Sequence, residues 1–218
     1  MKLSLPKQTG KKNVIRQFVD QYGLVYFGHV DQHDDDHQVI RGMTVSHSHR
    51  DEHYSVGSYE SYDISFVERT DSIKNPKTDK VQHHTWHILQ IDLHNTVDLP
   101  HIFIGLHTHS ESFYRQLFTK YSHLRPLPIG TLRQYDPTFV SQYRVYGHPS
   151  EHLEIEGLLH DTIDKVFVQH FGSLAIELHD GALYVYSESR ALHVPLLEAM
   201  IKNGVWLARH IDEIAKQL

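Results

Sequence analysis

Residues 85–93 alternate in character one by one. His87, Leu89, Ile91 and Leu93 would face one side of a strand, and Trp86, Ile88, Gln90 and Asp92 the other. A two-residue period is the geometry of a β-strand, whose successive side chains point to opposite faces. Near-alternation rich in β-branched and aromatic residues also runs through residues 43–46 and 54–68, where Tyr62, Ile64 and Phe66 share a side. Residues 24–30 and 100–105 supply two further strands. Together these runs predict an antiparallel sheet region with one solvated face.

The second half has a different rhythm. Ser110 caps a helix with Glu111 in its first turn, and Phe113, Leu117, Tyr121 and Leu124 continue its buried stripe. Arg-Pro-Leu-Pro-Ile-Gly at 125–130 breaks that helix and marks the candidate internal boundary. A strand is expected over 139–146, then a helix carrying Leu158, Leu159, Ile163, Val166 and Phe167 and ending near Gly172. Residues 173–187 read as a hairpin turned by Asp180-Gly181. Pro195 opens a helix that stops at Gly204, and Val205, Leu207, Ala208, Ile211, Ile214 and Leu218 form a closing amphipathic helix. The fold class that follows is α+β: an antiparallel sheet region, then a strand–helix–hairpin–helix unit. Residues 1–218 form one domain in this reading, with lobes at 1–125 and 130–218.

At the N-terminal end, Val14, Ile15, Phe18, Val19 and Tyr22 share one face of a short helix that Gly23 stops. Lys2, Lys7, Lys11, Lys12 and Arg16 are the only charges in residues 1–19, so residues 2–19 are a candidate for peripheral contact with an anionic membrane. Packing on the chain's own core is the competing use of that apolar face. No apolar run approaches the length of a transmembrane helix, which gives the expectation of a cytoplasmic protein.

Cysteine is absent, which removes disulfides, thiolate metal sites and cysteine nucleophiles. A formal charge of −6 argues against nucleic acid as a partner, and the sequence names no other. Histidine is abundant: 21 residues, as many as Lys and Arg combined, with 13 of them between His29 and His109. Their ordinary pKa of about 6.5 makes the net charge swing from negative to positive as pH falls below 7.

Two histidine clusters have ligand-like spacing. His47-Ser-His49-Arg-Asp51-Glu-His53 resembles the His-x-His-x-Asp-His signature of metallo-β-lactamase-fold hydrolases, in which such side chains hold zinc that activates water. Glu52 separates Asp51 from His53, so the register of the last ligands differs. His101, His107, His109 and Glu111 form the second cluster, where a strand hands over to a helix. The candidate metal ligands are therefore His47, His49, His53, His107 and His109, with zinc as the candidate cofactor, and the competing reading is a histidine-coated surface. No nucleophile elbow, phosphate loop or dinucleotide fingerprint is present. No residue is assigned as catalytic.

The run Phe139-Val-Ser-Gln-Tyr-Arg-Val-Tyr146 and the Ile-Glu-Leu…Gly-Ala-Leu-Tyr-Val-Tyr hairpin, with residues 56–68 and Ile102-Phe103 upstream, resemble a bacterial domain of unknown function. The resemblance covers residues 12–200. It implies an α+β fold, often following one or two membrane helices in other members, and it supplies no catalytic residue. The reading is a non-catalytic binding or interaction protein. A histidine-ligated divalent-metal protein is the alternative, and a metal-dependent hydrolase the third.

Overall fold

The structure is a computed structural model that describes residues 10–29, 49–74, 81–118, 121–159, 162–188 and 191–217. Among these residues nine strands form one sheet: β1 (Val25–Gly28), β2 (His49–Tyr59), β3 (Tyr62–Lys74), β4 (Val81–Asp92), β5 (Ile102–Leu106), β6 (Arg125–Pro126), β7 (Tyr143–Gly147), β8 (Ala175–His179) and β9 (Ala182–Ser187). Their order is β1-β2-β3-β4-β9-β8-β5-β7-β6, and every neighbouring pair is antiparallel. The fold is α+β, as the pattern predicts. The strands expected at 43–46 lie outside the described residues.

The faces of this sheet differ from the expected half-solvated one. Tyr62, Ile64 and Phe66 of β3, Leu89 and Ile91 of β4 and Val185 of β9 pack into a core with α1 (Lys11–Tyr22) and α6 (Val194–Ala215). The opposite side chains Val67, Trp86, Ile88, Tyr184 and Tyr186 are also buried, in a second core closed by α2 (Glu111–Leu117). The alternation in residues 85–93 is real, but Trp86 and Ile88 on its second side are covered by α2 and its neighbours. A covered antiparallel sheet needs apolar residues on both sides, which blurs the in–out contrast that sequence reading depends on.

The apolar face of α1 is spent internally. Val14, Ile15, Phe18 and Val19 are buried, and Gly23 ends the helix in the left-handed conformation at φ 66°. That is the C-terminal stop expected of glycine. The apolar stripe that made residues 11–19 a membrane candidate therefore belongs to the core, and residues 2–9 lie outside the described residues. No helix among the described residues is long and apolar enough to cross a membrane.

Residues 54–68 divide into two strands, the pair that the resemblance at 56–68 implies, with Glu60 (φ 48°) and Ser61 (φ 71°) forming a tight turn between Tyr59 and Tyr62. Three local expectations change. The helix expected to carry its stripe on to Tyr121 and Leu124 ends at Leu117. The expected strand at 139–146 begins only at Tyr143. Asp136 accepts from the Thr138 amide at 2.7 Å and Pro137 takes the first helical position, so α3 (Pro137–Gln142) forms first. The third change concerns Gly204. It stops nothing: α6 runs through it from Val194 to Ala215.

Gly204 is needed for closeness rather than for a turn. A Cβ there would lie 2.6 Å from Ile91 Cδ1 and 2.9 Å from Val185 Cγ2, so the helix rests its backbone on the sheet. Alanine would gain about 1 kcal/mol in helix propensity but overpack the contact by about 1–3 kcal/mol. Gly204→Ala is expected to lower the unfolding free energy by about 1 kcal/mol in urea titration. A stabilised variant would mean that α6 does not lie this close to β4 and β9.

Candidate functional site

On the second face, strand alternation sets a row of polar groups among apolar ones. Ile176 and Leu178 of β8, with Leu183 and Val185 of β9, point to the first core, so Glu177, His179, Tyr184 and Tyr186 point to the second. His101, just before β5, joins them. Glu177 is fully buried; it accepts from the Tyr186 hydroxyl at 2.5 Å and lies 2.7 Å from His101 Nε2. His101 Nδ1 is 3.0 Å from His123 Nε2. His179 stacks on His101 with ring centroids 4.0 Å apart, and Tyr121 meets both rings edge-on.

The donor pattern follows from this geometry. With Glu177 ionised, His101 Nε2 must donate to it, and a neutral His101 then accepts at Nδ1 from His123. The row is therefore one hydrogen-bonded chain of a phenol, a carboxylate and two imidazoles. Burial pushes the pKa of His179 and of His123 down, and the neighbouring His101 adds to the shift in both. His148 acts on His123 in the same sense, while Glu151 opposes it there and Glu177 and Asp180 oppose it at His179. A group whose pKa is lower in the folded state binds fewer protons there than when unfolded. Its stabilisation is full above the unfolded value near 6.5 and is lost as pH falls through the folded one. The melting temperature is expected to drop between pH 7 and about 5.5, and His179→Phe should flatten that dependence while keeping the ring stack. An unchanged slope in the variant would remove His179 from the account.

A second buried polar group lies on the same face at β2 and β3. Arg69 donates from Nε to Asp51 Oδ1 at 2.8 Å and from Nη2 to Oδ2 at 2.7 Å, and neither side chain has any exposed surface. Burial alone would weaken the guanidinium's hold on its proton, but the Asp51 carboxylate reverses this, with Asp71 adding to the effect. On the first face, burial would raise the pKa of Glu68. Hydrogen bonds from His87 at 3.1 Å and Lys11 at 2.5 Å hold it below the usual carboxylate range.

The predicted ligands go to different places. His47 lies outside the described residues. His49 opens β2 opposite Asp71. His53 sits at a bulge of β2 with φ 60°, its Nδ1 2.8 Å from the Tyr26 hydroxyl, near Lys11 and Lys12 of α1. His107 is exposed beyond β5. His109 stacks on Phe113 of α2 with Nε2 2.7 Å from Glu188. His53 therefore looks toward α1 and His109 toward α2. Among the described residues no three His, Asp or Glu side chains converge as ligands of one ion.

Beside the buried row the surface opens. The turn at residues 121–124 sends His123 to His101, while Ser122 and Leu124 on either side line a cleft of about 440 Å³. Arg115 and Phe118 form one wall, Arg125 and Pro126 of β6 the other, and Tyr146 of β7 the floor. Tyr146 is 1% exposed and packs against Phe103, Tyr114 and Phe118. Burial pushes its pKa up and the nearby Arg144 guanidinium partly offsets this, but its hydroxyl has no hydrogen-bond partner of ordinary geometry among the described residues. Arg115 pairs with Glu111 at 2.7 Å in an exposed i,i+4 contact. Such pairs hold their partners weakly, at roughly 0.3–0.5 kcal/mol.

Helices on both faces of a mixed-order antiparallel sheet, with a polar row under one face and a cleft at its end, define the class of protein by architecture. No family model matches the chain, and no curated protein does. Among solved structures it is similar to the crystal structure of the mycobacterial trehalose monomycolate transport factor A, TtfA, at 8% identity and a TM-score of 0.61 over 95% of each chain. At that identity the likeness is one of fold.

Sequence reading missed the buried row because its members are far apart. His101 and Glu177 are 76 positions apart in the chain. One local signal existed: Ala-Ile-Glu-Leu-His in β8 puts an acid at an inward position of a covered strand, where acids are rare unless paired.

Proposed function

We propose that this chain is a non-catalytic binding protein whose ligand occupies the cleft between α2 and β6–β7. The observation that carries the reading is a contrast. The two buried polar groups of the second face are committed within themselves: Glu177 to His101 and Tyr186, and Arg69 to Asp51. The cleft instead presents polar groups with weak partners or none among the described residues, over an apolar floor, in a volume within the range of about 300–1,000 Å³ usual for ligand sites. TtfA is a trehalose monomycolate transport factor, a role that a protein without catalytic machinery can fill, and the shared fold is compatible with that.

Ligand-observed NMR with a set of neutral, anionic and cationic fragments tests the proposal on untagged protein. Fragments that bind should compete with one another and shift resonances of Phe118 and Tyr146. If hits scatter and none reaches these residues, the cleft is not the site. If the purified protein hydrolyses generic esters or phosphodiesters, and Glu177→Gln abolishes this, the non-catalytic reading fails and the buried row is an active site.

A further inference from the structure

We infer that the cleft binds an amphiphilic anion: a carboxylate or phosphate head held by Arg115 and Arg125, with an apolar portion lying on Phe118, Leu124 and Tyr146. The inference rests on the cleft being the ligand site and adds the chemical class of its occupant.

Charge gives the head group. Two guanidinium groups line the opening against one carboxylate, Glu111, so the cleft carries a net positive charge. Arg125 makes no ion pair among the described residues, and Arg115 is held only by its exposed contact with Glu111. Guanidinium presents a planar set of donors that matches carboxylate and phosphate oxygens, and an arriving anion can recruit both arginines at little cost in lost pairing. The phenol at the floor supplies a further donor. Tyr146 is almost wholly buried beside the Arg144 guanidinium, and its hydroxyl donates to no acceptor among the described residues, so its proton remains for an oxygen in the cleft.

The walls give the rest of the ligand. Phe118, Leu124 and Tyr146 are each at most 5% exposed and belong to the second core, so the cleft floor is fixed by packing that does not depend on the ligand. A small inorganic anion would leave most of the roughly 440 Å³ to water. A short alkyl or aryl chain fills that volume and removes mainly its own apolar surface from water, at about 25 cal/mol per Å².

Isothermal titration of the full chain with octanoate, octyl phosphate, octanol and inorganic phosphate separates the alternatives. Octanoate or octyl phosphate should bind at one site per chain and at least about tenfold more tightly than octanol or inorganic phosphate. Arg125→Ala should weaken binding by about tenfold or more with an unchanged melting temperature, and Arg125→Lys should lose less. Tighter binding of octyl phosphate than of octanoate, or the reverse, assigns the head group. Equal binding of octanol, or no effect of Arg125→Ala, overturns the anion class while leaving the cleft as a ligand site if Phe118 and Tyr146 resonances still shift. No binding by any of the four compounds overturns the inference itself, and the fragment experiment then decides whether the cleft binds anything.

Discussion

Arg69→Leu is expected to destabilise the protein by about 3–5 kcal/mol, enough to remove much of the stability of an ordinary domain. The guanidinium has no exposed surface, and it sits opposite Trp86 in the register of β3 and β4 with Asp51 bound across both its oxygens. Removing it leaves the Asp51 carboxylate buried without its bidentate cationic partner, with Asp71 close by and equally buried. An uncompensated buried charge costs far more than an intact pair contributes, because desolvation is no longer offset. The double variant Arg69→Leu/Asp51→Leu should therefore recover part of the loss, since it removes the stranded charge together with its partner. Equilibrium urea unfolding of the two variants against the parent reads both quantities. A single-variant loss below about 1 kcal/mol, or a double variant less stable than the single, would show that the pair is not buried as described.

The parts of the fold that sequence reading captured are those with strong local chemistry. Asp180-Gly181 turns its hairpin with φ values of 52° and 71°, and the short Asp-Gly pair is suited to that conformation. Glu60-Ser61 adopts nearly the same geometry at 48° and 71° with residues that carry no such signal, so only the resemblance at residues 56–68, and not the turn chemistry, implies a strand pair there. There the long-range pairing, not the turn, sets the geometry. Ser58 donates to Asp63 at 2.7 Å across the two strands, and Arg209 of α6 reaches Glu60 at 2.5 Å from outside the hairpin. Gly204 failed in the opposite direction. Its chemistry permits a helix stop, but the contact with Ile91 and Val185 is a tertiary fact that no window of sequence contains.

The densest histidine run and the buried row are separate for a related reason. Residues 47–53 are conspicuous because their histidines are close in sequence, yet a site needs them close in space. His53 is drawn away by the bulge in β2 and by Tyr26. The constellation that does form takes His101, His123, Glu177, His179 and Tyr186 from the strands and turns that meet at β5, β8 and β9. The antiparallel order β9-β8-β5 is what assembles them, and that order depends on a crossover between the halves of the chain rather than on any local pattern.

Glu177 is the residue on which that constellation depends. Glu177→Ala is expected to cost about 3–4 kcal/mol, since it removes the buried acceptor shared by the Tyr186 hydroxyl and His101 Nε2 and leaves a cavity between β5 and β9. Glu177→Gln keeps the volume and one acceptor oxygen, and its amide can donate to the Tyr186 oxygen, so about 1 kcal/mol is expected. Glu177→Met keeps the volume but supplies no acceptor, and should resemble the alanine variant more than the glutamine one. The order Gln, Met, Ala in increasing loss distinguishes a polar role from simple space-filling, which would place Met nearest the parent. Pairing each with Tyr186→Phe in a double-mutant cycle should show a coupling of about 0.5–3 kcal/mol with Ala that is smaller with Gln. Additive effects throughout would mean that the two side chains do not share the hydrogen bond, and the row would then have no claim to act as a unit.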